Sequence, residues 1–332
     1  MMPSDRVVKS LQAPLRPRRV LVLLLPEVHL QDMAGPVQVL YEAAQLGGAY
    51  ELTYCGAKSE VRSAQGLVLA DLQPLPEPRE GDLVLVPGMW SASLDRLAVP
   101  TEWLWAASAA GARLVSVCSG AFALARAGLL DGRECTTHWK LIARLSAEAP
   151  RARVVDNRLF VEDGSVVTSA GVASGIDMAL ALVERDFGPL VAARVAREMV
   201  VYLRRNGEHG QQSVYLDYRA HLHPGVHRVQ DWLVANPHQK PALSQLARIA
   251  GMSPRHLARV FRRSTGVTPK RFAAKVKVQV ARDLLGDPQR TVEAIAASCG
   301  FDDARQLRRL WKQSFGVSIA KFRAASAEGS AP

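Results

Sequence analysis

The chain has 332 residues, 48% of them hydrophobic, enough for about two cored domains. No run approaches the roughly 20 apolar residues that a spanning helix needs, which argues against a membrane partner. Four cysteines without CxxC or Cys/His metal spacing give no sign of a disulfide framework or a structural metal, and the formal net charge of +11 points to a polyanionic partner.

The N-terminal stretch, residues 1–17, is polar and Pro-containing and reads as a tail. It has basic residues but no long apolar segment, so no export signal is expected. Arg19 to Leu25 is a continuous apolar run, which suits a strand buried on both faces. A PEVHLQD loop follows, then a helix is predicted over Pro36 to Leu46, with Val37, Leu40, Tyr41 and Ala44 on one side. Tyr50 to Cys55 reads as a short strand, residues 59–78 as a β excursion with a Pro-rich loop, and Asp82 to Val86 as a second buried strand stopped by Pro87-Gly88. A helix over Glu102 to Ala110 leads to a third buried strand, Arg113 to Val117. That strand runs into Cys118-Ser-Gly-Ala and a helix, Phe122 to Ala127. Asp156 to Val167 reads as a hairpin around Asp163-Gly164, and Gly175 to Phe187 and Leu190 to Leu203 as apolar-periodic helices. Strand–helix alternation of this kind predicts an α/β domain over residues 18–204, a parallel sheet flanked by helices in a flavodoxin-like sandwich.

Residues 205–223 are polar and poorly periodic and read as a linker. His221, His223 and His227 fall there and are expected to be solvated rather than metal-bound. Gly171-Val-Ala-Ser-Gly175 lacks the pattern of a phosphate loop and reads as a close backbone approach before a helix.

From residue 224 onward the sequence holds 19 Lys+Arg against 7 Asp+Glu, whereas residues 1–223 hold 23 against 24. The whole positive charge therefore sits in the last third. That third also contains one helical pattern written twice, Leu243 to Phe272 and Val292 to Arg323. In the first copy Leu243, Leu246, Ala247 and Ala250 form a buried face, Gly251 ends the helix, and Ser253-Pro254 starts the next. Leu257, Val260 and Phe261 are the apolar face of that second helix, leaving Arg255, His256 and Arg259 outward. Two helix–turn–helix units in an all-α domain over 224–326, followed by a short tail at 327–332, are expected to bind double-stranded DNA.

The segment resembles the AraC/XylS family of transcription regulators through S253-P-R255-H-L257-A-R259-V-F261 with Gly266, then IAASCGF ending at Phe301, Arg309, G316-V-S and F322-R323. The resemblance implies two helical subdomains joined by a long helix, here Pro269 to Leu285. Trp311 stands where Phe is usual, and Ile319 replaces a Pro. Arg255 and His256 are the base-edge candidates, Arg259, Arg262 and Arg263 the phosphate candidates, and Arg305 and Arg308 the candidates of the second motif. Asp302 and Asp303 suit the helix dipole but repel phosphate. Activation of transcription, and so contact with RNA polymerase, is what the resemblance implies.

Cys118 sits at a strand-to-helix turn. From spacing alone it fits a nucleophile at a helix N-terminus and a small buried hydrophobe equally well. The stretch VCSGAFALARAGLLDGRECTTHW, Val117 to Trp139, resembles the nucleophile elbow of the PfpI-like branch of the class I glutamine amidotransferase-like superfamily. The resemblance puts Cys118 on the nucleophile, His138 on a histidine after the next strand, Asp32 on the acid after the first strand, and Pro87-Gly88 on a sheet-edge turn whose amides can face the thiol. Protease-like members carry His directly after the nucleophile, where this chain has Ser119. The expectation is a retired active site that binds a small-molecule effector, not an enzyme and without a cofactor. Its lining would include Asp32, Met89, Trp90, Cys118, Ser119 and His138, with Trp90 and Trp139 available to stack on an amino acid or quaternary amine. The alternative is a Cys118-dependent amidase or deglycase-like hydrolase carrying a DNA-binding tail. A cytoplasmic homodimer is expected, since related sensor domains pair and two linked readers gain avidity.

Overall fold

The computed structural model describes residues 18–47, 50–201, 205–207, 211, 218–287 and 289–328. The tail at 1–17, residues 208–210 and 212–217 of the stretch read as a linker, and the last four residues lie outside these. The chain divides into two compact units, Met1–Gln211 and Gln212–Pro332.

The first unit is built on a six-stranded sheet. Its strands are β1 (Arg18–Leu23), β2 (Tyr50–Cys55), β5 (Leu83–Val86), β6 (Arg113–Val117), β9 (Phe160–Asp163) and β10 (Val166–Ser169), in the order β2-β1-β5-β6-β10-β9. All neighbours are parallel except β9 and β10, which form the hairpin around Asp163-Gly164. Short pairs β3 (Val61–Arg62) with β4 (Val68–Leu69), and β7 (Glu134–Cys135) with β8 (Arg153–Val154), stand outside it. The apolar run of β1 is explained by burial on both faces. Val20, Val22 and Leu24 pack toward α1 (Leu30–Gln45), α5 (Ala173–Phe187) and α6 (Pro189–Glu198). Leu21, Leu23 and Leu25 pack toward α2 (Thr101–Ala109), α3 (Ala121–Arg126) and α4 (Ile142–Glu148).

Several element boundaries differ from the sequence reading, most by one to four residues, and two of them by more. Helix α1 begins at Leu30, not Pro36, so Asp32 lies in its first turn instead of in a loop. Proline normally opens a helix, because its ring and missing N–H disrupt the interior. Here tertiary packing overrides that preference. A Cβ on Gly175 would lie 3.3 Å from Pro36 Cγ, and one on Gly35 would lie 3.0 Å from Ile176 Cγ1, so α1 and α5 meet closely through these residues. Helix α6 stops at Glu198, with Val200 at φ 54°.

The second unit is helical: α7 (Pro224–Ala235), α8 (Leu243–Ala250), α9 (Pro254–Thr265), α10 (Pro269–Leu285), α11 (Val292–Ser298), α12 (Ala304–Phe315) and α13 (Ile319–Glu328). The two copies of the repeat form separate cores. Leu246, Ala247, Leu257 and Phe261 pack with Val226, Val229 and Phe272; Ile295, Leu307, Trp311 and Phe322 pack with Val278 and Leu285. Helix α10 serves both cores and spans the range predicted for the joining helix. Gly251 ends α8 in the left-handed region at φ 70°, and Gly300 repeats this at φ 70° in the second copy. Ser253, Thr268, Thr291 and Asp303 each accept a hydrogen bond from the backbone amide three residues into the helix they cap.

Candidate effector site and DNA-reading helices

The carboxyl ends of the parallel strands gather the residues that the sequence marked. Cys118 follows β6 directly and takes φ 55°, a conformation costly for a side chain bearing a Cβ and typical of a strained functional turn. Glycines make room for it. A Cβ on Gly171 would lie 2.5 Å from Cys118 Cβ, one on Gly88 would lie 2.3 Å from Asp32 Oδ2, and one on Gly120 would lie 2.2 Å from the Val86 carbonyl oxygen. The Gly171–Gly175 stretch is therefore the close backbone approach that its composition suggested.

Asp32 is 1% exposed. Its Oδ1 accepts the Val172 amide at 2.6 Å, while the buried Oδ2 faces Gly88 and the Cys118 thiol and has no other partner among the described residues. Burial raises the Asp32 pKa, opposed by the Val172 hydrogen bond and the charge of His29. The Cys118 thiol is pushed up to about 12, first by burial and then by the Asp32 charge, with Ser119 acting in the opposite sense. A thiol in that state is protonated at neutral pH and is a poor nucleophile.

Ser119 and Met89 are engaged with each other. Ser119 Oγ donates to the Met89 carbonyl at 2.6 Å and accepts the Met89 amide at 2.7 Å. Met89 is 2% exposed, with its side chain in the core facing α2 and α3. The Met89 amide is thus spent on Ser119 and is not a free oxyanion donor. Trp90 and Trp139 are 53% and 44% exposed. His138 caps the turn Trp139–Leu141, its Nδ1 accepting the Lys140 amide at 3.3 Å, and its pKa is lowered by burial and by Lys140. Among the described residues no hydrogen bond joins His138 to Cys118.

Three contributors were not legible in the sequence. His29 precedes α1, donates its amide to the Gly88 carbonyl at 2.8 Å and contributes charge at Asp32. Val172 takes φ 48° to aim its amide at Asp32. Thr137 Oγ1 donates to the Cys118 carbonyl at 2.7 Å. No local signal marks His29; Val172 lay inside the glycine-bounded stretch read as a close backbone approach, without its role at Asp32, and Thr137 lay inside the resembling stretch, beside the residue that drew attention.

In the second unit Arg255, His256, Arg259, Arg262 and Arg263 are all exposed along α9, and His256 Nδ1 lies 3.2 Å from Arg259 Nη2. The second reader is more self-engaged. Arg305 is exposed, but Arg308 pairs with Glu293 at 2.8 Å, and Asp302 holds Gln306 and Lys240. Trp311 fills the second core at 0% exposure, packed on Phe315 and Phe322, so the larger ring is absorbed by the packing.

His221 and His227 are half-buried and stacked with ring centroids 4.3 Å apart, not solvated as expected, because they pack at the entry to α7. Among the described residues no group of His, Cys, Asp or Glu is arranged to hold a metal. A cavity of about 680 Å³ lies in the second unit, between the two half-domains, and not at Cys118. None of its lining residues carries a buried polar atom without a partner, and the Lys277 ammonium in it already donates to the Gly300 carbonyl at 2.7 Å. It does not present the buried, unpaired polar group that the Cys118 site does.

Comparison with known proteins joins the two halves. Residues 18–185 match the DJ-1/PfpI family and residues 246–325 a helix-turn-helix domain. The HTH-type transcriptional regulator GbdR of Pseudomonas aeruginosa is 30% identical over 307 residues, covering 91% of this chain and 83% of that protein. The chain belongs to the AraC-type transcriptional regulators with an N-terminal DJ-1/PfpI domain. This regulator is a DNA-binding protein, and its first unit has the DJ-1/PfpI fold. A THiJ/PfpI family protein from Pseudomonas syringae, 22% identical, shares that fold with a TM-score of 0.53, covering 62% of the regulator and 84% of that chain. The isonitrile hydratase of Pseudomonas putida is 34% identical over 172 residues, 50% of the regulator and 71% of that enzyme. Among the described residues no helix of the regulator is long and apolar enough to cross a membrane.

Proposed function

We propose that the regulator senses a small metabolite carrying an ammonium group, an amino acid or a quaternary amine, at the carboxyl ends of its sheet. The observation that carries this reading is Asp32: a buried carboxylate with one oxygen bonded to Val172 and the other facing only the Cys118 thiol among the described residues. An unpaired buried acceptor is costly unless something donates to it or neutralises it. Trp90, exposed, is suited to cover an ammonium by cation–π contact, whereas the exposed Trp139 ring already carries the Lys140 ammonium at 5.3 Å, which an effector would have to displace. The protonated thiol, a His138 that caps its own turn and the occupied Met89 amide support a site that binds without turnover, while among the described residues the Asp32 carboxylate is the one basic group against the thiol.

On this reading effector binding sets how the paired readers of a cytoplasmic homodimer engage promoter DNA. The readers use Arg255 and His256 at base edges, Arg259, Arg262 and Arg263 at phosphates, and Arg305 and Arg308 in the second motif. The output is activation through RNA polymerase.

A second reading, a Cys118-dependent enzyme, is favoured by the φ 55° turn at Cys118 and by the hydratase relative. One experiment separates the two: thermal unfolding of the full chain against amino acids, betaines and other small amines, with Cys118→Ala alongside. Sensing predicts a concentration-dependent rise in Tm that survives Cys118→Ala, with the compound recovered intact. Consumption of a compound that stops in Cys118→Ala establishes the enzyme and removes the sensor reading.

A further inference from the structure

The chain leaves the first unit beside the site just described. Arg205 is held by Asp177 of α5, which is 5% exposed: its amide and Nε each donate to the carboxylate at 3.0 Å, and Nη2 donates at 2.5 Å. Two residues on, the Gly207 carbonyl accepts the Leu159 amide at 3.0 Å. A Cβ on Gly207 would lie 2.5 Å from the Phe160 carbonyl oxygen, so only glycine fits against the edge strand there. Gln211, the last residue of the unit, inserts its carboxamide. Nε2 donates toward the Thr137 and Arg158 carbonyls at 2.9 Å each and toward Thr136 Oγ1 at 3.2 Å. Among the described residues its buried Oε1 has no partner.

Both anchor points continue into the effector site through hydrogen bonds. Leu159, held by Gly207, accepts the Ala170 amide at 2.8 Å, and the next two residues are Gly171, packed on Cys118, and Val172, bonded to Asp32. Thr137, held by Gln211, donates its hydroxyl to the Cys118 carbonyl at 2.7 Å. The covalent route to the DNA-binding unit begins one residue later, at Gln212.

We propose that docking of the exit segment, through Arg205–Gly207 and Gln211, is linked to the state of the Cys118–Asp32 site and is how that site reports to the DNA-binding unit. The proposal rests on the reading of the site as a sensor. The orphaned Gln211 oxygen makes the docking incomplete, as suits an element that must be released without unfolding the sheet. Linkage is reciprocal: disturbing the site must loosen the segment, and releasing the segment must loosen the site.

Two arms on the full chain test both directions. In the first, hydrogen exchange at the Leu159 and Arg205 amides is compared between the wild type and Thr137→Val, which keeps shape but loses the bond to Cys118. Both amides are expected to exchange about tenfold faster in the variant, with β1 unchanged. In the second, Cys118 alkylation by iodoacetamide at fixed pH is measured in Gly207→Ala and Gln211→Ala. A rise of about fivefold or more is expected. Should Gly207→Ala fail to fold, Gln211→Ala, a change beside the sheet and not in its core, carries that arm alone. Unchanged exchange in Thr137→Val, or alkylation within about twofold of wild type in the segment variants, overturns the proposal. Neither arm uses an effector. A silent compound panel with positive arms therefore removes the sensor reading and leaves the linkage, and the converse pattern removes the linkage alone.

Discussion

Asp32 and Val172, 140 positions apart in the sequence, are joined by a 2.6 Å hydrogen bond from the Val172 amide to Asp32 Oδ1. The bond holds Val172 at φ 48° and offsets part of the cost of burying the carboxylate. The remaining cost fixes a prediction about pH. Burial raises the Asp32 pKa, so the folded chain binds the Asp32 proton more tightly than the unfolded chain does. This group therefore destabilises the fold above its folded pKa, and the penalty disappears as pH falls through that value into the ordinary carboxylate range. Asp32→Asn, which keeps an acceptor for Val172, is expected to raise Tm at pH 8, by roughly 2–4 °C for each ~1 kcal/mol recovered. The gain should vanish below about pH 4. Thermal melts of both proteins across that range check it; a variant less stable than wild type at pH 8 contradicts the assignment.

Cys118 gives a second pH prediction. With the thiol pushed up to about 12, the thiolate fraction rises about tenfold per pH unit throughout the neutral and mildly basic range. The rate of iodoacetamide alkylation at Cys118 should rise with that slope from pH 7 to 10 without a plateau. Asp32→Asn removes the negative neighbour and should speed the reaction at every pH. A plateau near pH 8, read by mass spectrometry of the Cys118 peptide, would show an activated thiol and favour the enzymatic reading.

Ser119→Ala tests the paired bonds to Met89. The substitution leaves a buried amide and a buried carbonyl without partners, at a cost of about 1–3 kcal/mol for each group left unsatisfied. Chemical denaturation should show the loss as a lower midpoint with an unchanged slope. Ser119→Thr, which keeps the hydroxyl, should recover most of it unless the added methyl collides. A Ser119→Ala protein of wild-type stability would mean that the Met89 groups find other partners.

Much of this architecture was legible because its causes are local or periodic. The run at β1 announces a strand buried on both faces, and Gly251 with Ser253-Pro254 writes the turn of the first reader in adjacent residues. Pro36 misled because its preference for a helix start is local, whereas its acceptance inside α1 depends on Gly175, far along the chain. The proposed effector site was half legible for the same reason. Cys118 is marked by its own turn, and Asp32 was reached only through family resemblance. His29 and Val172 matter through where the backbone brings them, and no side-chain pattern records that.

On the proposed reading, the position of the arginines along the two helices separates sequence reading from phosphate holding. Arg255 lies in the first turn of α9, where a helix in the major groove meets base edges, and Arg263 lies near its end. Against a duplex enriched from a random library, Arg255→Ala should lose about 1–3 kcal/mol of discrimination and bind random duplexes almost as before. Arg263→Ala should weaken both duplexes alike and reduce the salt slope by about 1. In the second reader, Glu293 occupies Arg308 at 2.8 Å, so Glu293→Gln removes a negative charge and frees a guanidinium. Binding to all duplexes should then tighten, and the salt dependence should steepen as the released arginine displaces a counterion. Anisotropy titrations over a series of salt concentrations read all three variants. Equal losses at Arg255 on selected and random duplexes would move that residue to the phosphate contacts, and an unchanged salt slope in Glu293→Gln would place Arg308 away from the DNA.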